Sequence, residues 1–270
     1  MAIRFVLGRA GSGKSEYCLR DMKSKLMESP QGRPLILLVP EQATFQAEYA
    51  LASTPELRGT LRAQVLSFRR LAWRVMQEVG GTARLPIDDT GKKLLIHKIL
   101  NKQRQHLKLF AGSSDQMGFI EKINDLFKEL KRYGVNAEGM SAFLADTRQK
   151  PAALSDKLHD VELIYKEFEA ELSKAYLDGE DFLTLLAEQL PESGYVRGAE
   201  CWIDGFHGFT PQEMAVIEGL AGVCSEVSVT LCLDREYKLG DKPHELDLFH
   251  PTALDHAAAA GKDRTGWALK

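Results

Sequence analysis

The sequence predicts an α/β fold in which a parallel sheet is interrupted by a long helical insertion. The apolar runs Ile3–Leu7 and Leu35–Val39 are typical of strands buried on both faces, and a helix-period stretch follows each of them. A third strand around Gln64–Phe68 also runs into a helix, and such alternation produces a parallel sheet of βαβ units. The alternation then stops for more than a hundred residues, which predicts the insertion.

The predicted insertion consists of amphipathic helices. Gly80 ends the last βα unit, and from Asp88 onward the patterns are helical. Apolar residues keep a helical period within Phe119–Leu130 and again, after a start at Pro151, within Leu154–Leu172. We expect these faces to be packed in a core rather than to bind a ligand.

Strand patterns return only near the end of the chain, at Glu200–Asp204 and Val227–Leu233. Between them Thr210 is followed by Glu213 three residues later, the capping-box signature of a helix start. We therefore expect a split domain around an insertion. The expected parts are residues 1–80 and 199–250 for the domain, 81–198 for the insertion, and 251–270 for an Ala-rich tail without a clear element, where a longer chain is cut.

Composition and cysteine spacing favour an ordinary cytoplasmic protein. The chain is 44% hydrophobic and carries a formal net charge of −3. No apolar run reaches the length of a membrane span, and the N-terminus has no signal-peptide pattern, so we expect no membrane contact. The four cysteines are scattered, and we expect buried thiols rather than a zinc or iron–sulfur site. They are Cys18, Cys201, Cys224 and Cys232.

Charge is unevenly distributed along the chain. Between Arg58 and Lys108 there are twelve lysines and arginines but three acidic residues, so the remainder of the chain is acidic. Such an asymmetry is what a nucleic-acid-binding face requires. The alternative, that acids from elsewhere in the fold neutralise this segment, stays open.

The first turn carries a phosphate-binding motif. It has the pattern G-x-x-x-x-G-K-[ST] and lies between a predicted strand and a predicted helix, the context that the motif requires. Glycines let consecutive N–H groups converge on a phosphate, Lys14 would reach the β- and γ-phosphates, and Ser15 would ligate Mg²⁺. We predict an ATP site formed by Gly8, Arg9, Ala10, Gly11, Ser12, Gly13, Lys14 and Ser15.

A carboxylate at a neighbouring strand end is needed to hold the metal's water shell. Asp204, which closes the strand Cys201–Ile203, is the predicted group. The acidic cluster Asp178, Glu180 and Asp181 is the other carboxylate group considered, but a turn and N-cap before a helix at Phe182 is the favoured interpretation.

The residues around Asp204 resemble a known motor family. Ile203–Gln212 looks like the motif "I-D-E-F-Q-D-x-[ST]-P" of superfamily 1 DNA helicases, and Leu177–Leu183 resembles their "L-D-F-D-D-L" segment. Pro40–Thr44 lies where the family's strand-end DNA contact would fall. The order of glycine loop, helical insertion and second motif is also similar, so the resemblance implies a RecA-like P-loop NTPase sheet with 1A-like and 1B-like parts.

The resemblance is more specific to the B subunit of AddAB/RexAB-type helicase–nucleases, the AddB family. The sequence segments Leu38–Gln42 and Asp204–Phe206 are similar to segments found in that family. Membership implies a heterodimer with an AddA-like subunit that acts on single-stranded DNA or duplex ends during double-strand-break repair. It also implies a nuclease and a 4Fe-4S cluster whose ligands would lie beyond residue 270.

Departures from the helicase motif imply weak hydrolysis. Gly205 stands where the family has its catalytic Glu, and His207 and Gly208 replace a Gln and an Asp. Since a general base is typically worth about 10²- to 10⁴-fold in rate, we expect ATP binding with little turnover. His207 is interpreted as structural rather than catalytic. Three alternatives stay open: an active ATPase with His207 or Glu213 as the base, a small-molecule kinase, and a structural DNA-binding scaffold.

The DNA-binding prediction falls on one helix. Arg69, Arg70 and Arg74 are the predicted contacts with DNA, and Phe45 and Trp73 are considered as stacking partners. For the two aromatic residues a core position is favoured.

Overall fold

The structure, a computed structural model, describes residues 3–55, 57, 62–80, 85–145, 151–237, 241 and 243–260. Its contacts divide the chain into two units, called here the sheet unit (Met1–Gly81 and Leu183–Lys270) and the helical unit (Thr82–Phe182). The sequence pattern places residues 183–198 in the insertion, whereas here they belong to the sheet unit. The Glu78 carboxylate accepts hydrogen bonds from the Ser193 hydroxyl at 2.6 Å and the Tyr195 amide at 3.0 Å, which anchors this segment there.

The described elements alternate at both ends of the chain and are mainly helical between. In chain order they are β1 (Ile3–Gly8), α1 (Lys14–Glu28), β2 (Leu35–Leu38), a 3-10 helix (Glu41–Ala43), α2 (Thr44–Ala52), β3 (Ala63–Leu66), α3 (Phe68–Val79), β4 (Leu85–Ile87), α4 (Asp89–Gln103), α5 (Met117–Arg132), α6 (Ala137–Ala145), α7 (Ala152–Ala175), β5 (Tyr176–Asp178), a 3-10 helix (Gly179–Asp181), α8 (Phe182–Gln189), a 3-10 helix (Leu190–Glu192), β6 (Glu200–Ile203), α9 (Pro211–Val223), β7 (Glu226–Cys232) and α10 (His250–Ala260).

The sheet unit is built on a five-stranded sheet with the order β1-β7-β6-β2-β3, and every ladder in it is parallel. The predicted α/β class with a parallel sheet is therefore confirmed. Gly8 at the end of β1 is level with Cys232 of β7, and Leu38 of β2 is level with Ile203 of β6. Because all strands run in one direction, their carboxyl ends meet at the same edge of the sheet.

Local sequence explains why these strands and helices form. All four residues of β2 are buried, as a strand covered on both faces requires. In α1, Cys18, Met22 and Leu26 recur at every fourth position and pack with β2 and β3 in one core cluster. Trp202 of β6 belongs to the same cluster, and its indole N–H donates to Asp21 of α1 at 3.1 Å. Helix α1 is thus fixed to the sheet by packing and by a hydrogen bond.

The predicted start of the last large helix is confirmed. Thr210 caps α9, its side chain accepts from the Glu213 amide at 3.3 Å, and the Glu213 carboxylate accepts from the Thr210 amide at 2.8 Å. This reciprocal pair is the capping box that the sequence predicts.

The helical unit has its own core, formed by apolar residues of α4, α5 and α7 with a contribution from α6. It also contains a two-stranded parallel ladder of β4 and β5, in which Leu85 pairs with Tyr176 and Ile87 with Asp178. The sequence pattern predicts helices alone between Asp88 and Glu200 and misses this ladder. Two strands of three residues each are too short to produce an alternation that can be recognised.

The tail also differs from expectation. Residues 250–260 form α10, whereas the sequence predicts no clear element after residue 250. The Thr252 hydroxyl donates to the Cys232 carbonyl at 2.9 Å, and the His256 ring contacts the Phe5 ring with centroids 4.9 Å apart. These contacts with β7 and β1 stabilise a helix whose Ala-rich sequence lacks a strong local signal. Residues 261–270 of the expected tail lie outside the described residues.

A search of the described helices finds none that is long and apolar enough to cross a membrane.

Candidate functional site

The glycine motif forms the loop between β1 and α1, at the carboxyl edge of the sheet. Gly11 and Gly13 have φ of +76° and +88°, a region that favours glycine. A Cβ on Gly8 would collide with the Ser12 hydroxyl, so a third glycine is required by close approach. Gly13 is the N-cap of α1, whose 15 residues direct the positive end of the helix toward this loop. The loop and helix end together make an anion-binding geometry.

Lys14 folds back over this loop. Its ammonium donates to the carbonyls of Gly8 at 2.7 Å and Arg9 at 2.9 Å. These bonds hold the charge beside the loop, and their acceptors are neutral carbonyls that the ionised oxygens of a phosphate would replace. Arg9 itself points away from Lys14 to Asp234 after β7, with a guanidinium–carboxylate distance of 3.5 Å.

Asp204 follows β6 at the same edge of the sheet and is buried. Its amide donates to the Leu38 carbonyl at 2.9 Å, and its carboxylate accepts from the Thr230 hydroxyl of β7 at 2.6 Å. Backbone and side chain are therefore both fixed by neighbouring strands. The bond to Thr230 uses one carboxylate oxygen, which leaves the other to meet a ligand.

A cavity of about 250 Å³ lies between α1, the end of β2, α2 and the end of β6. Ser15 and Asp204, the two predicted metal ligands, both line it. Most of the other lining groups are apolar; the described residues that line the cavity are Ser15, Leu19, Leu37, Val39, Ala43, Gln46, Ala47, Asp204 and Gly205. The fold therefore brings together a hydroxyl from residue 15 and a carboxylate from residue 204 in one cavity.

Gly205 adopts a backbone conformation that the sequence does not reveal. Its φ is +82°, and a Cβ at this position would lie 3.4 Å from Cδ of Pro40. The contact distance is ordinary, but the dihedral is one that a residue with a side chain rarely adopts. The glycine therefore does more than lack a carboxylate, because the chain here has a conformation that suits glycine.

The other groups considered as bases are not part of the cavity lining. His207 is exposed, and the Glu213 carboxylate is engaged in the capping box of α9. The loop after Asp204 is fastened by Asp255 of α10, which accepts from the Phe209 amide at 2.9 Å. Burial raises the pKa of Asp255 to about 6, and the nearby Glu213 charge adds to this effect while the Phe209 amide opposes it.

The predicted DNA-binding arginines lie on α3 but differ in their surroundings. Arg70 forms an ion pair with Glu48 of α2 at 2.9 Å, while the Arg74 guanidinium stacks on Tyr195, 5.0 Å from the ring centroid. Arg69 is exposed. Burial raises the pKa of Tyr195 to about 12, against the opposing charge of Arg74. Arg74 is thus partly committed to packing within the protein.

The two aromatic residues near these arginines are not in the core, and the favoured interpretation of the sequence was wrong. Phe45 is 74% exposed and Trp73 is 60% exposed. Phe45 stacks on Tyr49 one turn further along α2, with ring centroids 6.3 Å apart. Both side chains are therefore available at the surface of α2 and α3.

The acidic cluster at β5 lies in the helical unit and is a charge network rather than a metal site. Asp178 is 1% exposed and contacts the ammonium of Lys92 at 2.9 Å and of Lys131 at 3.2 Å. Lys131 also contacts Asp181 at 2.8 Å. The predicted capping role of Asp178 is confirmed, since it accepts from the Glu180 amide at 3.3 Å, but the two lysines were not foreseen.

Cys18, Cys201 and Cys224 are buried, as predicted, and Cys232 is half-buried. Burial raises the pKa of the Cys18 thiol to about 12, with Asp204 and Asp21 adding to the effect. In the part of the chain that the structure describes, no group of three or more His, Cys, Asp or Glu side chains has a metal-binding arrangement.

Comparison with known proteins identifies the family. A family model described as "ADDB, N-terminal" matches residues 5–257. The chain belongs to this AddB N-terminal family. The resemblance inferred from the glycine loop and the Asp204 segment is thereby confirmed.

Individual relatives agree with the family model. The chain is 49% identical over 257 residues to a protein of Heliobacterium modesticaldum and 49% identical over 263 residues to one of Desulforudis audaxviator, alignments that cover 94% and 96% of the chain. A protein of Geobacillus thermodenitrificans is 47% identical over 255 residues, 93% of the chain. Each is named as the B subunit of an ATP-dependent helicase/deoxyribonuclease, and the chain spans about a fifth of their length, 20–22%.

The structure adds two residues to the site of this AddB-family chain. Gln46 of α2 lines the cavity, and Asp255 of α10 fastens the loop that follows Asp204. A signal for Gln46 was present in the sequence, because Ala43, Gln46 and Ala47 have the spacing of one helical face. No local signal marks Asp255, whose partner is 46 residues away.

Proposed function

We propose that this AddB-family chain is a P-loop NTPase domain of the RecA-like, superfamily 1 type, which binds ATP with Mg²⁺ and hydrolyses it slowly or not at all. The observation that carries the proposal is the cavity shared by the Ser15 hydroxyl and the Asp204 carboxylate, beside the loop at the end of β1. A hydroxyl and a carboxylate are the oxygen groups that Mg²⁺ prefers in such sites.

The residues present fit a bound nucleotide. The amides of the loop and the positive end of α1 favour a polyphosphate, and Lys14 would exchange the carbonyls of Gly8 and Arg9 for phosphate oxygens. Ser15 and Asp204 would hold the metal or its water. When bound, Mg²⁺ neutralises charge on the phosphates.

Weak hydrolysis follows from the groups around the cavity. Asp204 is assigned to the metal and is held by Thr230, Gly205 has no side chain, and Glu213 is engaged in a helix cap. His207 does not line the cavity. No lining residue is therefore left to accept a proton from an attacking water, and the site would act through binding rather than turnover.

We further propose that the chain works within a DNA-processing assembly. The support comes from the relatives, which are named as the B subunit of an ATP-dependent helicase/deoxyribonuclease. The name implies that those proteins assemble with at least one other subunit. The proposed partner is an AddA-like subunit in a heterodimer that resects double-strand breaks. Proposed contacts with DNA come from Arg69 and Arg70 of α3, with the exposed Phe45 and Trp73 as stacking groups.

Substitution of Lys14 tests the nucleotide site. In the full-length protein, Lys14→Ala should weaken binding of a fluorescent ATP analogue by about 10- to 150-fold, because a hydrogen bond to a charged group contributes about 1.5–3 kcal/mol. Lys23→Ala, on the same helix α1 but away from the loop, should leave affinity unchanged. ATP turnover with single-stranded DNA should be low in all three proteins.

Two results would count against the proposal. If the wild type and Lys14→Ala bind the analogue with equal affinity, the loop is not a nucleotide site and the chain is a structural scaffold. Rapid turnover by the wild type that Lys14→Ala abolishes would make the chain an active ATPase.

A further inference from the structure

Gln46 is a polar group of the nucleotide cavity that has no assigned role. Of the residues that line the cavity, Ser15, Gln46 and Asp204 carry polar side chains, and the others are apolar or glycine. Ser15 and Asp204 are the proposed metal ligands. The amide of Gln46 offers two N–H donors and a carbonyl acceptor, and it carries no charge.

The position of Gln46 is set by the packing of α2. Ala43 and Ala47, on the same helical face, also line the cavity and pack against the core cluster that contains residues of α1 and β2. Leu51, further along α2, is 2% exposed within that cluster. These contacts anchor the backbone of α2 beside the cavity, and the exposed side chain of Gln46 lines the cavity from the α2 side.

The positions of Ser15 and Asp204 indicate which part of a bound nucleotide would lie near Gln46. Ser15 and Asp204 would hold a divalent metal at the terminal phosphates of a bound nucleotide, where it would neutralise their charge. A donor that shares their cavity is therefore near the terminal phosphate or a water bound to the metal, and remote from the base and ribose. A nucleoside diphosphate would offer no γ-phosphate oxygen at this position.

We propose that Gln46 is a specificity-determining residue that contacts the γ-phosphate end of a bound Mg²⁺–nucleoside triphosphate and thereby distinguishes triphosphate from diphosphate. This inference rests on the proposed nucleotide site. The residue that would distinguish triphosphate from diphosphate thus lies on α2. The same helix carries the stacked and exposed pair Phe45 and Tyr49. A change at the γ-phosphate would thus act on the helix that carries those aromatic residues.

The test compares affinities for ADP and for a non-hydrolysable ATP analogue, each with Mg²⁺, in the full-length protein. Gln46→Ala should weaken binding of the triphosphate about tenfold and leave ADP unchanged, since one hydrogen bond to a charged group is lost. Gln46→Glu should weaken triphosphate binding further, because a carboxylate would face the phosphate charge. Gln31→Ala, in the exposed turn before the amino end of β2, is the matched control and should change neither affinity.

The outcomes separate this inference from the proposed function. If the wild type binds both nucleotides and Gln46→Ala leaves the ratio of the two affinities unchanged, the role of Gln46 is refuted while the nucleotide site stands. If the wild type binds neither nucleotide, or Lys14→Ala binds as well as the wild type, the proposed function itself fails and the inference with it. Equal unfolding midpoints of the variants exclude a loss of fold as the cause of a changed ratio.

Discussion

At the scale of single residues, Gly205 shows how backbone conformation limits the chemistry of the site. Its φ of +82° belongs to the left-handed region, where a residue with a Cβ costs about 1–2 kcal/mol. The position follows directly after Asp204, so the same turn that directs the Asp204 carboxylate excludes an unstrained side chain next to it. A carboxylate side chain introduced at position 205 would therefore also disturb the turn.

We expect Gly205→Glu to lower the free energy of unfolding by about 1–2 kcal/mol because of the left-handed backbone. We expect no approach to the roughly 10²- to 10⁴-fold gain in turnover that a positioned base supplies. Urea unfolding and an ATPase assay measure the two effects. Gly222→Glu is the matched control, since Gly222 is exposed near the end of α9, has open space around it and has no positive φ. A stable Gly205→Glu variant with fast turnover would contradict this account.

At the scale of elements, α3 carries three arginines with unequal freedom to bind DNA. All three are exposed, but Arg70 pairs with Glu48 at 2.9 Å and Arg74 stacks on Tyr195, whose hydroxyl also donates to Gln64 at 2.8 Å. Replacing Arg69 and Arg70 removes charge that can neutralise phosphates, while replacing Arg74 removes packing as well. The three residues look equivalent in the sequence and are not equivalent in the fold.

The double variant Arg69→Ala/Arg70→Ala should weaken binding to single-stranded DNA and flatten its salt dependence by about 0.7 in log–log slope for each lost phosphate contact. Binding measured between low and high salt gives this slope. Arg74→Ala should instead lower the free energy of unfolding by about 0.5–1 kcal/mol, the usual size of a cation–π contact. If the salt dependence of DNA binding is unchanged in the double variant, these arginines are solvated surface charges that do not contact DNA.

The charge network of the helical unit ties β5 to α4 and α5. Asp178→Asn should lower the free energy of unfolding by about 3 kcal/mol, because Lys92 would keep a buried charge without its close carboxylate partner, while Lys131 keeps Asp181. Asp125→Asn is the control: Asp125 is 65% exposed and lies 3.5 Å from Lys128, so about 1 kcal/mol or less is expected. Thermal or urea unfolding distinguishes them. A loss no larger for Asp178→Asn than for Asp125→Asn would show that the buried pairs contribute little.

At the scale of the whole molecule, a buried and a half-buried carboxylate impose opposite dependences of stability on pH. Burial acts to raise the pKa of Asp178, but Lys131 and Lys92 together outweigh it and hold this pKa below its usual value. Its stabilisation is present above about pH 4, the ordinary value for Asp, and is lost as pH falls through the lowered pKa. For Asp255 the pKa is raised by burial to about 6, so the folded state holds a proton that the unfolded chain releases near pH 4.

The free energy of unfolding should therefore contain a component from Asp255 that falls as pH rises from about 4 to 6, since the folded state binds more protons in that window. Asp255→Asn should flatten this part of the profile while keeping an oxygen that accepts from the Phe209 amide. Urea unfolding at pH 4, 5, 6 and 7 measures it, with Asp125→Asn as the control. Parallel profiles for the wild type and Asp255→Asn would contradict the raised pKa.

The sequence by itself determined the features that depend on near neighbours. The buried strands at Ile3–Leu7 and Leu35–Val39, the glycine loop between strand and helix, and the capping box of Thr210 and Glu213 all rest on interactions within a few residues. The resemblance of short motifs to the AddB family was also visible in the sequence. Local patterns suffice here because caps, turns and periodic faces are local in their physics.

Tertiary structure decided everything that depends on distant partners. Lys92 and Asp178 are 86 residues apart, and neither has a local reason to be buried. The outward direction of Phe45 and Trp73, the left-handed turn at Gly205 beside Pro40, and the place of Gln46 in the cavity lining likewise depend on how separate elements pack. Burial and side-chain direction are properties of packed surfaces, and a linear pattern does not specify which surface covers which.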